Sequence, residues 1–205
     1  MTIAAPTLCV FTPTYNRAYI LPALYESLLA QTATDFQWMI VDDGSSDDTE
    51  ALVAGWIAEG RLPIDYVKQE NGGKPRATNT GVARCESELF FVVDSDDHLV
   101  PTAVEHVLAR WEEIRGDDSF AGIVALRGTD ERTPMGTWMP DGVRAVTLWD
   151  LHEKMGFRGD TSLIHRTEIL RRYPFDVAPC EKFVAESSVW FLIDESYNML
   201  ADNEI

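Results

Sequence analysis

The sequence predicts an α/β domain: a mostly parallel sheet with helices on both faces. Three observations lead there. Short apolar runs alternate with stretches of helical periodicity at a steady pace through the first half. The chain has 205 residues, 45% of them apolar, enough to build one sizeable core. Polar, charged and glycine residues collect just after the apolar runs, and sheets of this kind bind ligands beyond the carboxyl ends of their strands.

Residues 8–11 read as the first strand. Ile20, Leu21, Leu24 and Leu28 then recur at helical spacing, in a helix that fades near Gln31. Residues 36–41 form a second strand. Asp47 or Asp48 caps a helix that runs through Leu52, Val53 and Trp56 to a stop at Gly60. Residues 64–67 form a third strand, followed by a helix over 75–85 with Pro75 in its first turn. Residues 89–93 form a fourth strand. Pro101 opens a helix through Val104, Val107, Leu108 and Trp111, and residues 120–126 form a fifth strand.

The second half is less regular. Residues 127–146 read as loop with room for a hairpin, and 148–155 as a short helix. Residues 162–165 suit a strand and 167–172 a helix. Val189, Trp190, Ile193 and Tyr197 give helical periodicity over 186–200, and the last residues resemble the start of another element. No repeat or linker divides the chain, so residues 1–205 are expected to form one domain, compatible with truncation at the C-terminus.

Basic residues number 17 and acidic ones 34, a formal net charge of −17. That balance argues against a nucleic-acid binder and disfavours an anionic lipid surface as a general partner. Cys9, Cys85 and Cys180 are far apart and show no metal spacing, so they are expected to be small, partly buried thiols in a reducing compartment. His98, His106, His152 and His165 show no metal spacing either. The first residues lack a basic region ahead of their apolar ones, so they are not expected to act as a secretory leader, and no apolar run reaches membrane length. The expected location is cytoplasmic, compatible with peripheral work at the inner face of a membrane and with a homodimer.

The stretch FFVVDSDDHLVP, residues 90–101, runs a buried strand into Asp94, Asp96 and Asp97. Like charges so close repel, unless a divalent cation holds the carboxylates ionised. Oxygen-only ligands suit Mg2+ or Mn2+, which bind through one or two carboxylates plus substrate phosphates. Asp97 alone also suits an acidic turn before the next helix. VDDGSSDDT, residues 41–49, puts Asp42 and Asp43 at a strand end, where a carboxylate can accept from a base N–H or ribose hydroxyls. NGGKPRATNTGV, residues 71–82, sets two glycines and Lys74 ahead of a helix. The backbone can approach a ligand there, and Lys74 and Arg76 can offset negative charge. In TPTYNR, residues 12–17, Tyr15 or Arg17 can face a nucleotide and Asn16 can cap a helix.

Taken in order, TPTYNR, VDDGSSDDT, NGGKPRATNTGV and DSDD resemble the nucleotide-sugar half of family-two glycosyltransferases with the GT-A fold. The resemblance runs over roughly residues 8–100 and makes 101–205 the acceptor-side half. It implies that Thr12, Tyr15, Arg17, Asp42 and Asp43 surround base and ribose, with Gly73, Lys74 and Arg76 beside them. DSDD matches the family's DxD motif. That gives Asp96 to the metal, Asp94 to metal or ribose, Ser95 to the nucleotide and Asp97 to a supporting role. Members of this kind invert configuration, and a carboxylate takes the acceptor hydroxyl's proton. EKFVAESSVW, residues 181–190, resembles the segment carrying it, with Glu186 as base; a Ser stands at 187 where the family often has a second acid. Asp160 is the runner-up. The implied partners are a nucleotide-diphospho-sugar, most often a UDP-sugar, and a glycan or lipid-linked acceptor. Two other readings stay open: a nucleotidyltransferase that makes such donors, and a non-catalytic relative that binds them. The first normally has a Gly-rich basic loop after strand one, which TPTYNR lacks.

Overall fold

The structure is a computed structural model and describes residues 5–205. Its first half alternates as expected: β1 Leu8–Thr14, α1 Leu21–Leu29, β2 Phe36–Asp42, α2 Thr49–Glu59, β3 Ile64–Lys68, α3 Lys74–Arg84, β4 Leu89–Val92, α4 Ala103–Glu112 and β5 Phe120–Leu126. Gly60 ends α2 at φ 66°, the left-handed conformation that glycine adopts without penalty. The second half holds a short hairpin (β6 Gly128–Asp130, β7 Thr133–Pro134), β8 Ala145–Val146 and a π-helical turn at Asp150–Lys154. It continues with β9 Thr161–Arg166, α5 Thr167–Arg172, α6 Ser187–Asp194 and β10 Asn198–Ala201.

The strands order as β3-β2-β1-β4-β9-β5-β10-β8. Pairs β1–β2, β2–β3, β1–β4 and β5–β10 are parallel. β9 runs antiparallel between β4 and β5 and pushes them apart in the sheet. The fold is therefore mostly parallel, with β9 inserted in reverse and the edge strand β8 antiparallel to β10. One expectation needs correction at the end of the chain. The helix expected over 186–200 stops at Asp194, and Met199 and Leu200 lie in β10, buried between β5 and β8. Cys9 and Cys85 are fully buried, whereas Cys180 is exposed.

Alternation along the strands builds two cores. Leu8 and Val10 of β1 and Trp38 and Ile40 of β2 face α1, α2 and α4. Cys9, Phe11, Met39 and Val41 face the other way, onto α3, α5 and α6. Burial on both faces explains why these strands read as unbroken apolar runs. The sheet order reverses between β1 and β4, so the loops that follow them flank the crevice where parallel sheets bind ligands.

Candidate active site

The loops after β1, β2 and β3 are stitched together before any ligand arrives. Asn16 sits at φ 54° and its Oδ1 accepts from the backbone N–H of Ser46 at 2.8 Å, while its own N–H donates to Ser45 Oγ at 2.8 Å. Asn16 therefore caps no helix, contrary to expectation; it braces the loop ahead of α2. Asp42 is fully buried; it accepts from Ser45 N–H at 2.7 Å and from Tyr66 Oη at 2.6 Å. Burial and the Asp42 carboxylate push the Tyr66 hydroxyl far above its ordinary pKa, so it stays a donor. Asp43 accepts from Gln69 Nε2, Asn71 Nδ2, and the N–H groups of Gly72 and Gly73, at 2.7, 3.0, 2.9 and 2.7 Å.

Several residues expected to face a nucleotide have internal partners. Thr12 is fully buried and its hydroxyl accepts from Trp38 Nε1 at 3.0 Å, so it belongs to the core. Asp42 and Asp43 brace the loops as described. Arg76 donates to the carbonyls of Gly72, Val177, Ala178 and Glu181 at 3.2, 3.1, 2.6 and 2.7 Å, fastening α3 to the segment ahead of α6. Tyr15 is 50% exposed, and Ser95 is buried within the acidic turn.

The acidic turn after β4 meets three cations from three other strand ends. Lys74 reaches Asp94 Oδ1 at 2.6 Å, Arg17 reaches Asp96 Oδ2 at 3.3 Å, and Arg127 pairs with Asp97 and lies 3.7 Å from Asp94 Oδ2. Burial raises the Asp97 pKa; Arg127 opposes this and the charges of Asp94 and Asp96 add to it. Lys74 also reaches Glu186 Oε1 at 2.7 Å. One ammonium thus joins the first acid of the DSDD turn to the carboxylate that precedes α6, although 92 positions of chain separate them. Burial disfavours the Lys74 charge, but Asp94 and Glu186 outweigh it and raise its pKa. Asp160 is exposed at the start of β9, and its backbone carbonyl accepts from Arg127 N–H at 3.3 Å. Arg127 itself escaped the sequence reading. It is the first residue after β5, so the same strand-end rule that picked out the other loops would have found it.

Among the described residues no three His, Cys, Asp or Glu side chains converge as a metal site. The donor set still suits a hard ion: Asp96 is a half-exposed carboxylate, and such ions take one or two protein oxygens and the rest from phosphates. A cleft of about 910 Å³ opens beside the turn, between α4 and the sheet, lined by Asp96, Asp97, Arg127, Leu99, Val107 and Ile164. It does not include the Lys74 bridge.

The Glycosyl transferase family 2 model matches residues 9–176. The chain belongs to this family. Among similar proteins is a chondroitin synthase of Escherichia coli, 37% identical over 127 residues, which covers 62% of this chain and 18% of that protein. The crystal structure of Staphylococcus aureus TarS 1–349 superposes with a TM-score of 0.74 at 22% identity, covering 96% of this chain and 58% of that one. The same TarS fragment in complex with UDP-GlcNAc gives a TM-score of 0.66 at 23% identity, covering 97% and 59%. The fold is accordingly GT-A-like, and the chain spans only part of its relatives' length.

Proposed function

We propose that this chain forms the donor-binding and catalytic part of an inverting glycosyltransferase. It would move a sugar from a nucleotide-diphospho-sugar to an acceptor hydroxyl in polysaccharide or glycoconjugate synthesis. The observation that carries this reading is the Lys74 bridge. Asp94 and Glu186 lie within two hydrogen-bond lengths of each other, so leaving-group and base chemistry can share one small volume. A single displacement needs both at once: charge stabilised on the departing diphosphate and a proton taken from the attacking hydroxyl.

Asp96, with Asp94, would hold a divalent cation, Mn2+ or Mg2+, which when bound offsets the diphosphate's charge. Arg17 and Arg127 line the same turn and can pair with phosphate oxygens as they now pair with Asp96 and Asp97. Tyr15 is exposed beside the first loop and can stack on a base. Glu186 is half-exposed and would accept the acceptor proton. The family match weighs against the nucleotidyltransferase reading. The UDP-GlcNAc complex of TarS supports a UDP-sugar as the first donor to try.

The test is thermal stability with Mn2+ plus UDP, GDP, dTDP or CDP, each against metal and nucleotide alone. Ligands that bind only the folded state raise the melting temperature by mass action. One nucleotide is expected to give a shift that needs metal. Glu186→Gln should keep that shift and lose transfer by roughly 10²–10⁴-fold, the usual worth of a general base. An equally active Glu186→Gln enzyme would remove Glu186 from the mechanism, and no shift with any nucleotide would remove the donor site.

A further inference from the structure

Lys74 occupies ground that the proposed reaction needs. Its ammonium lies 2.6 Å from Asp94, a metal carboxylate in that reading, and 2.7 Å from Glu186, the base. The backbone leaves it little room to withdraw. Lys74 opens α3 directly after Gly73, whose φ is +90° and where a Cβ would lie 2.0 Å from the Lys182 carbonyl oxygen. Two residues on, Arg76 binds three carbonyls of the 177–181 segment. The start of α3 and the chain leading into α6 are therefore fastened together, and Lys74 travels with Glu186 rather than with the acidic turn.

We propose that Lys74 is an internal counter-ion that competes with a divalent cation for Asp94 and remains on Glu186 when that cation enters. The inference rests on the metal role of Asp94 and Asp96. An ammonium and a divalent ion at one carboxylate repel each other, so binding of the ion displaces the lysine from Asp94. The base then faces the lysine's charge alone. Filling the donor site would thus change the surroundings of the base some distance along the chain. Lys74 is a positioning residue in this scheme, since it acts through Asp94 and Glu186 and not on the sugar.

Mn2+ alone is the probe, titrated without nucleotide and read by the electron paramagnetic resonance signal of the free ion. Lys74→Met should tighten Mn2+ binding roughly fivefold, the upper range for a partly exposed ion pair. Lys74→Arg should return the affinity to that of the wild type. Arg84→Met removes the same charge from the far end of α3, where Arg84 pairs with Asp65 at 3.0 Å. That end lies roughly 15 Å away by helical rise, beyond a screening length of about 8 Å, and its affinity should not change. Lys74→Gln gives the same reading should Lys74→Met fold poorly. Equal or weaker binding in the Lys74→Met and Lys74→Gln variants, or an equal gain in Arg84→Met, overturns the proposal. Asp96→Ala separates the two levels. If it binds Mn2+ like the wild type, the acidic turn is not the metal site and the functional reading falls as well. If it loses Mn2+ while Lys74→Met matches the wild type, only the counter-ion role falls.

Discussion

Asp43 follows β2 and Asp96 follows β4, so the same side chain stands at the same rim of one sheet in two settings. Asp43 is 4% exposed and meets four donors, two of them the N–H groups of Gly72 and Gly73. The Asp96 side chain is 49% exposed and is held by Arg17 at 3.3 Å. The residue type is the same and each lies in a loop that follows a strand; the surroundings decide what each carboxylate is for. The Asp43 carboxylate ties the loop after β2 to the loop after β3. Asp96 belongs to a turn whose partners are exchangeable surface cations. A preformed frame beside an exchangeable charge cluster is what a site needs if it must keep its shape while ligands come and go.

The sharpest way to break that comparison is Asp43→Ala. It takes the carboxylate from four donors, of which Asn71 Nδ2 keeps the Asp43 carbonyl at 2.9 Å, and buried donors left without acceptors cost about 1–3 kcal/mol each, with incomplete additivity. A loss of about 3–5 kcal/mol in urea unfolding is expected. A loss under about 1 kcal/mol would mean that the frame is held by something else.

The difference between the two carboxylates was not legible in the sequence, and the reason is physical. Strands β1, β2, β4 and β5 could be read because each is largely buried on both faces and shows as an apolar run; residues 120–126 match β5 at both ends, whereas β3, at the sheet edge, is only half-buried. The rim loops could be read because they follow those runs. What consumes each side chain depends on contacts between distant segments. Trp38 claims Thr12, and Arg76 spends its donors on carbonyls about a hundred positions away. The direction of β9 is likewise a property of its neighbours. β10 lies where the last residues read as the start of another element, but its type and start were masked because Tyr197 continues the helical spacing of α6, while the strand is made by pairing with β5. The family resemblance pointed to Glu186, yet only the folded chain brings it to Lys74 and Asp94.

His165 sharpens the comparison from the other side. It is 1% exposed on β9, stacks on Trp190 at 4.7 Å, and among the described residues its Nδ1 has no hydrogen-bond partner. Burial lowers its pKa to about 3. The ordinary value is about 6.5, so below that pH the unfolded chain takes up a proton that the folded chain refuses. Stability contributed by the neutral ring is full above the unfolded pKa and falls as pH drops towards the folded one. The slope is about 1.4 kcal/mol per pH unit. His165→Phe keeps an aromatic ring against Trp190 and should remove that slope. The check is the difference in unfolding free energy between the two proteins from pH 6.5 to about 4.5. Parallel curves would mean that the ring gains a proton in place, and that burial without partners does not silence a charge here.

The smallest expected effect is the one that defines the acidic turn. Asp96→Ala removes a half-exposed carboxylate whose ion pair with Arg17 is worth at most about 1 kcal/mol. It also removes repulsion within the turn, where the charges of Asp94 and Asp96 add to burial in raising the Asp97 pKa. The two terms oppose, so the metal-free melting temperature should stay level or rise slightly. The metal-dependent nucleotide shift should vanish in the same variant. That pairing, a fold left intact and a ligand response lost, is what Asp43→Ala cannot produce. If Asp96→Ala instead unfolds the protein, the turn is a second brace like the one around Asp43, and its three arginine and lysine partners are structural pairs with no ligand to exchange for.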